Sequence, residues 1–166
     1  MKTRRRIRYL IILCICLSLY TTGCTRHTAK EDNDALVALK EKADEDFASL
    51  NRYLNMAIEE KEYNIIGYLT NTAIDSINAR TGSLQQLDVP PSAEKFKQTT
   101  IDYVQSLVNV SKAYKSYALL ADTLMSVQQL DSLREIIRNA ECAMDSMQTV
   151  LISVQRDFAR EKNMKL

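Results

Sequence analysis

Glycine and proline are scarce, with 3 and 2 among 166 residues. β-rich and loop-rich folds build their turns from these residues, so the scarcity argues against those classes and for long helices. Tryptophan is absent and histidine occurs once, as His27. A di-iron or di-manganese carboxylate bundle needs Glu-x-x-His on two helices, and one histidine ahead of the helical segments cannot supply that. Haem ligation by a core histidine and Ser-His-Asp or Cys-His triads fall on the same ground. A Gly-rich phosphate loop, a zinc-ligand spacing and an EF-hand loop are also missing. The expectation is a protein without a cofactor or bound metal that is not an enzyme.

At 46% apolar and 26% charged, the chain has the composition of one ordinary domain with a core. Its net charge of +1 hides an asymmetry, because Lys2, Arg4, Arg5, Arg6 and Arg8 are accompanied by no acid in the first 23 residues. Behind them 17 basic residues face 21 acids, a balance of about −4. That balance implies no basic surface and argues against nucleic acid as a partner.

The basic run Lys2 to Arg8 is followed by the apolar run Tyr9 to Tyr20 and the small-residue stretch Thr21-Thr22-Gly23 before Cys24. This is the layout of a secretory signal, with a basic end held on the cytoplasmic side and an apolar stretch for the translocon. An uncleaved membrane anchor is the competing reading, but a span needs about 20 apolar residues. The run has 12. An ordinary signal cleaved without lipidation is a third reading.

Thr22-Gly23-Cys24 resembles the end of the lipobox of bacterial lipoproteins, although Thr21 stands where such boxes often carry Leu. The resemblance implies cleavage between Gly23 and Cys24 and a lipid on the Cys24 thiol, so that the chain is held to a membrane in the cell envelope. Thr25 follows where an Asp would favour the inner membrane, so the resemblance leans to the outer one. Cys14 and Cys16 would leave with the signal and Cys24 would carry lipid, which leaves Cys142 alone and no intramolecular disulfide.

The expected organisation is a signal peptide over 1–23, a flexible polar tether over 24–32, a helical domain over 33–162 and a short tail over 163–166. Leu36, Leu39, Ala43, Phe47, Leu50, Leu54 and Ala57 recur at helical spacing, and Ile66, Leu69, Ala73, Ile77, Leu84 and Leu87 mark a second helix that Arg80 interrupts. Val89-Pro90-Pro91 breaks the chain, with Ser92 as the expected N-cap of a third helix. The apolar stripe of that helix is Phe96, Tyr103, Leu107, Val110, Tyr114, Tyr117 and Ala121, with Thr100 as a polar exception.

A fourth helix shows the strongest pattern: Leu130, Leu133, Ile137, Ala140, Met144, Met147, Leu151, Val154 and Phe158 form a coiled-coil-like seam. Four amphipathic helices with short connections predict an all-α, up-down-up-down four-helix bundle. A helical hairpin pair that completes its core as a dimer is the alternative.

Candidate sites beyond Cys24 are few. Tyr103, Tyr114 and Tyr117, with Tyr53, Tyr63 and Tyr68, offer hydroxyls for a small-molecule pocket between helices, though tyrosines at such spacing ordinarily belong to the core or its edge. The acids Asp44-Glu45-Asp46, Glu59-Glu60-Glu62 and Glu141 with Asp145 read as solvated faces before they read as cation ligands. Cys142 at the edge of the fourth seam has no adjacent base to activate it.

The long helices, the break at Leu87-Asp88-Val89-Pro90, the carboxyl end from Phe158 and the lipobox together resemble helical surface lipoproteins of Bacteroidota and spirochaetes. That resemblance implies no activity and carries over no functional residue. The functional expectation is a lipid-anchored structural or interaction module whose partners are the membrane and an unidentified envelope protein. A ligand-binding bundle with a tyrosine-lined pocket is the alternative.

Overall fold

Apolar stripes on four consecutive helices can be buried together only if the chain reverses at each short connection, which produces an up-down-up-down bundle. A computed structural model describes residues 28–60, 62–121 and 126–165 and has this architecture. Its helices are α1 (Ala29–Glu59), α2 (Tyr63–Gln86), α3 (Glu94–Ala121) and α4 (Val127–Glu161), and no strand occurs among the described residues. Gly23 and Cys24 lie outside the described residues.

Helix α1 begins four residues before the start expected at 33, because Thr28 and Glu31 form a capping box. The Thr28 hydroxyl accepts from the Glu31 N–H at 3.2 Å, and the Thr28 N–H donates to the Glu31 carboxylate at 2.7 Å. Two otherwise unpaired donors are thereby satisfied, and the helix captures residues 29–32 that the sequence assigns to the tether. Ser126 and Gln129 open α4 in the same way. At the Pro90-Pro91 break the expected Ser92 cap is replaced by main-chain bonds, from Ala93 N–H to Pro90 O at 2.8 Å and from Glu94 N–H to Pro91 O at 3.4 Å.

The far end of α4 closes with a motif that its sequence pattern does not announce. Asn163 takes a left-handed conformation with φ 53°, the Met164 N–H bonds to Ala159 O at 2.8 Å and the Asn163 N–H to Arg160 O at 3.2 Å. This is a Schellman closure, completed by Met164 packing on the core. The expected tail is therefore part of the folded domain up to Met164.

Helix α3 is the centre of the bundle, packing against α1, α2 and α4. Its sequence stripe predicts one buried face, whereas Val104, Val108 and Ser111 are buried as completely as Leu107 and Val110. The polar residues in this interior are short and satisfy themselves: Thr100 donates to Phe96 O at 2.8 Å, Ser111 to Leu107 O at 2.9 Å and Thr70 of α2 to Ile66 O at 2.8 Å. A hydroxyl that bonds back to its own helix removes the penalty of burial without needing a partner on another helix.

Helix α4, with the clearest heptads, is the least buried. Leu151 and Phe158 are enclosed, but Leu130, Leu133, Ile137, Ala140, Met144, Met147 and Val154 are half-buried. The reason lies in the partners: α4 packs chiefly on α3 and touches α1 only lightly, so one flank of its seam stays uncovered. At the closed end the Phe96 and Phe158 rings meet with centroids 5.7 Å apart, and Gln155 donates to Asn33 of α1 at 3.1 Å.

Two outcomes test this packing. Phe158→Ala removes the ring that joins α4 to α3 and is expected to cost about 3–5 kcal/mol of unfolding free energy in urea titration. Asn163→Gly is expected to leave stability unchanged or raise it slightly, while Asn163→Val lowers it by about 1 kcal/mol or more, read from the same titrations.

Candidate functional site

Besides the Gln155–Asn33 bond, three further polar contacts join helices, from Tyr103, Tyr114 and Arg80 on the stripes of α3 and α2. Tyr103 of α3 is buried and its hydroxyl donates to Asp44 Oδ1 of α1 at 2.7 Å. The second Asp44 oxygen receives Lys40 Nζ at 2.6 Å, and the same ammonium lies 5.5 Å from the centre of the Tyr103 ring. Tyr114, about three helical turns further along α3, donates to Glu141 Oε1 of α4 at 2.6 Å. Arg80 of α2, the interruption of its stripe, pairs with Asp46 of α1 at 3.1 Å.

Burial first, then the bond to Asp44 and the charges of Asp44 and Asp145, hold the Tyr103 phenol well above its ordinary range. Tyr114 is pushed up to about 12, again by burial first and then by its bond to Glu141. Both groups are protonated donors at any physiological pH. They neither accept a proton nor act as nucleophiles in that state.

The candidate pocket tyrosines are thus placed apart. The Tyr103 hydroxyl faces α1 and the Tyr114 hydroxyl faces α4, while Tyr117 is half-buried further along α3. Two of the three hydroxyls are taken up by carboxylates in separate places, and the three do not gather at one cavity between α2 and α3. Tyr53 and Tyr68 are exposed and flank a shallow groove of about 180 Å³ between α1 and α2, floored by Leu50, Leu69 and Ala73. A second cleft of about 170 Å³ lies where α1 and α4 part, with Leu36, Val37, Phe96 and Leu151 in its walls and Lys40 at its rim.

The consecutive acids diverge: Asp44 turns to α3, Asp46 to α2, and Glu45 to solvent. Among the described residues no three His, Cys, Asp or Glu side chains are grouped to hold a metal ion. Cys142 is a free, exposed thiol on α4. Among the described residues no helix is long and apolar enough to cross a membrane. Arg80 and the two tyrosine–carboxylate bonds were beyond the reach of periodicity, since their partners lie 34, 59 and 27 residues away.

The raised phenols make stability fall at high pH. The unfolded chain releases these protons near pH 10, the folded chain holds the Tyr114 proton to about 12, so the contribution is complete below pH 10 and is lost as pH rises through that window. Tyr114→Phe is expected to lower stability by about 1 kcal/mol at neutral pH and to make its decline from pH 10 to 12 shallower, measured by thermal melts beside tyrosinate absorbance.

No protein-family model, no curated protein and no solved structure matches the chain, so its functional reading rests on these residues alone.

Proposed function

We propose that the chain is the precursor of a bacterial lipoprotein, cleaved between Gly23 and Cys24, held to the cell envelope by lipid on Cys24 and acting through its helical domain as a non-enzymatic interaction module. The observation that carries this reading is the order of segments at the amino end: basic Lys2 to Arg8, apolar Tyr9 to Tyr20, then Thr21-Thr22-Gly23-Cys24. Thr25, in place of an Asp, favours the outer membrane. Two or more acyl chains hold a protein stably, since each buried methylene contributes about 0.8 kcal/mol and one chain alone binds marginally.

The capping box shortens the tether. With α1 capped at Thr28, only Thr25, Arg26 and His27 separate the lipidated residue from the cap. The four steps from Cys24 to Thr28 span at most about 14 Å, so the first turn of α1 lies near the bilayer surface. The non-enzymatic reading is supported by the way the buried hydroxyls are used: Tyr103 donates to Asp44 and Tyr114 to Glu141. The separation of those tyrosine hydroxyls speaks against the ligand-pocket alternative.

The anchor is tested by growing cells on an alkyne-bearing palmitate and reading label on the purified protein. Labelling and membrane fractionation that both disappear in Cys24→Ala are the expected result; label and membrane association that survive the substitution refute the lipid anchor.

A further inference from the structure

Helix α4 carries a second heptad stripe beside the seam that packs on α3. Ser132, Ile136, Asn139, Ala143, Ser146 and Val150 follow one another in alternating steps of four and three, and every one of them is exposed. Ile136 is 53% exposed and Val150 47%. The Ser132 and Ser146 hydroxyls already donate to Gln128 O and Cys142 O of their own helix, at 2.9 and 2.8 Å, so covering those two leaves no donor unpaired. An uncharged repeat of this period on an open helix face has the form of a seat for another helix, and the small side chains of Ser132, Ala143 and Ser146 let that helix approach closely.

We propose that the helix seated there is α4 of a second copy, running antiparallel about a two-fold axis that crosses α4 near Met144. The charges that border the stripe single out this occupant. On its solvent side the stripe is edged in heptad register by Glu135, Cys142, Thr149 and Arg156, so the border carries an acid towards its start and a base at its end. In the antiparallel register Ala143 meets Ser146 of the second copy and Val150 meets Asn139. The same register sets Glu135 beside Arg156 of the second copy, and the symmetry forms that pair twice. It also brings Arg160 to the level of Asp131 of the second copy. Arg156 makes no ion pair among the described residues of its own chain.

A parallel pair lacks this match, because the border of one helix would then run beside Leu133, Ala140 and Met147 of the other, the side that rests on α3. A different partner would have to present the reverse order of charges at the same spacing, which α4 read backwards supplies. The contact is one helix pair, small beside the roughly 800 Å² a side of a standard interface, so the dimer dissociates on dilution. The inference does not depend on acylation of Cys24. Since α1 starts beside the end of α4, where Gln155 meets Asn33, an anchored pair would have its lipids at opposite ends and lie along the bilayer.

The test is native mass spectrometry or sedimentation velocity of the purified full-length protein over a concentration series. A dimer is expected, with Ala143→Glu at the centre of the stripe raising its dissociation constant by about 30-fold or more. Circular dichroism and thermal melting of Ala143→Glu should match the parent, because the residue is exposed and glutamate suits a helix. Glu135→Arg and Arg156→Glu should each weaken the dimer by about three- to ten-fold, and the two exchanges together should return it to within about twofold of the parent. Tyr68→Glu, on the α1–α2 face, should leave the dimer intact. A parent that stays monomeric throughout, a dimer that survives Ala143→Glu, or single exchanges that the double exchange fails to rescue would each overturn the proposal.

Discussion

Helix α3 is surrounded, and that enclosure decides what its sequence has to be. It packs against all three other helices, and from Tyr103 to Ser111 it carries no charged residue, with Asn109 alone exposed in that stretch. A helix covered on most of its circumference loses its solvated face, so polar residues there must be short enough to bond back to their own backbone. Thr100, Ser106 and Ser111 meet that condition. The small hydroxyl side chains also let neighbouring helices approach where larger residues would hold them off. The other helices are arranged by what they can cover of α3, which is why α1 reaches it diagonally while α1 and α4 barely meet.

The polar bonds between helices fix their relative heights. Apolar packing alone is tolerant of one helix sliding on another by a turn, because a stripe repeating every three or four residues looks similar after the shift. Tyr103 to Asp44 sets α3 against α1, Tyr114 to Glu141 sets α4 against α3, and Arg80 to Asp46 sets α2 against α1. The Arg80 pair is partly solvent-exposed and adds little energy, of the order of 0–1 kcal/mol. Its use is geometric.

The helices were legible because burial on one face leaves a period of three and four in the sequence, and the reversal was legible because Pro90 and Pro91 cannot continue a helix. The degree of burial was not. Periodicity reports that one face is less polar than the other, not how many neighbours cover it, so the seam of α4 carries no sign of its open flank and the single stripe of α3 no sign of the burial on its other sides. The start of α1 is marked only by the capping signature Thr28-Ala29-Lys30-Glu31, since the polar run from 25 to 34 has no apolar stripe from which periodicity could place it. For the tyrosines the stripe was visible and the acceptors were not, since pairs 59 and 27 residues apart leave no local trace.

The uneven hold on α4 divides the domain into parts of different firmness. Near its end α4 is secured by the Phe96–Phe158 contact, the Gln155–Asn33 bond and the Asn163 closure, whereas its first turns rest on α3 with one flank open. Opening of the chain therefore starts from the Val127 end of α4 and works towards Leu151, which makes that half of the helix the sub-globular unit with the least protection against solvent exchange and leaves α1 to α3 as the slow-exchanging remainder.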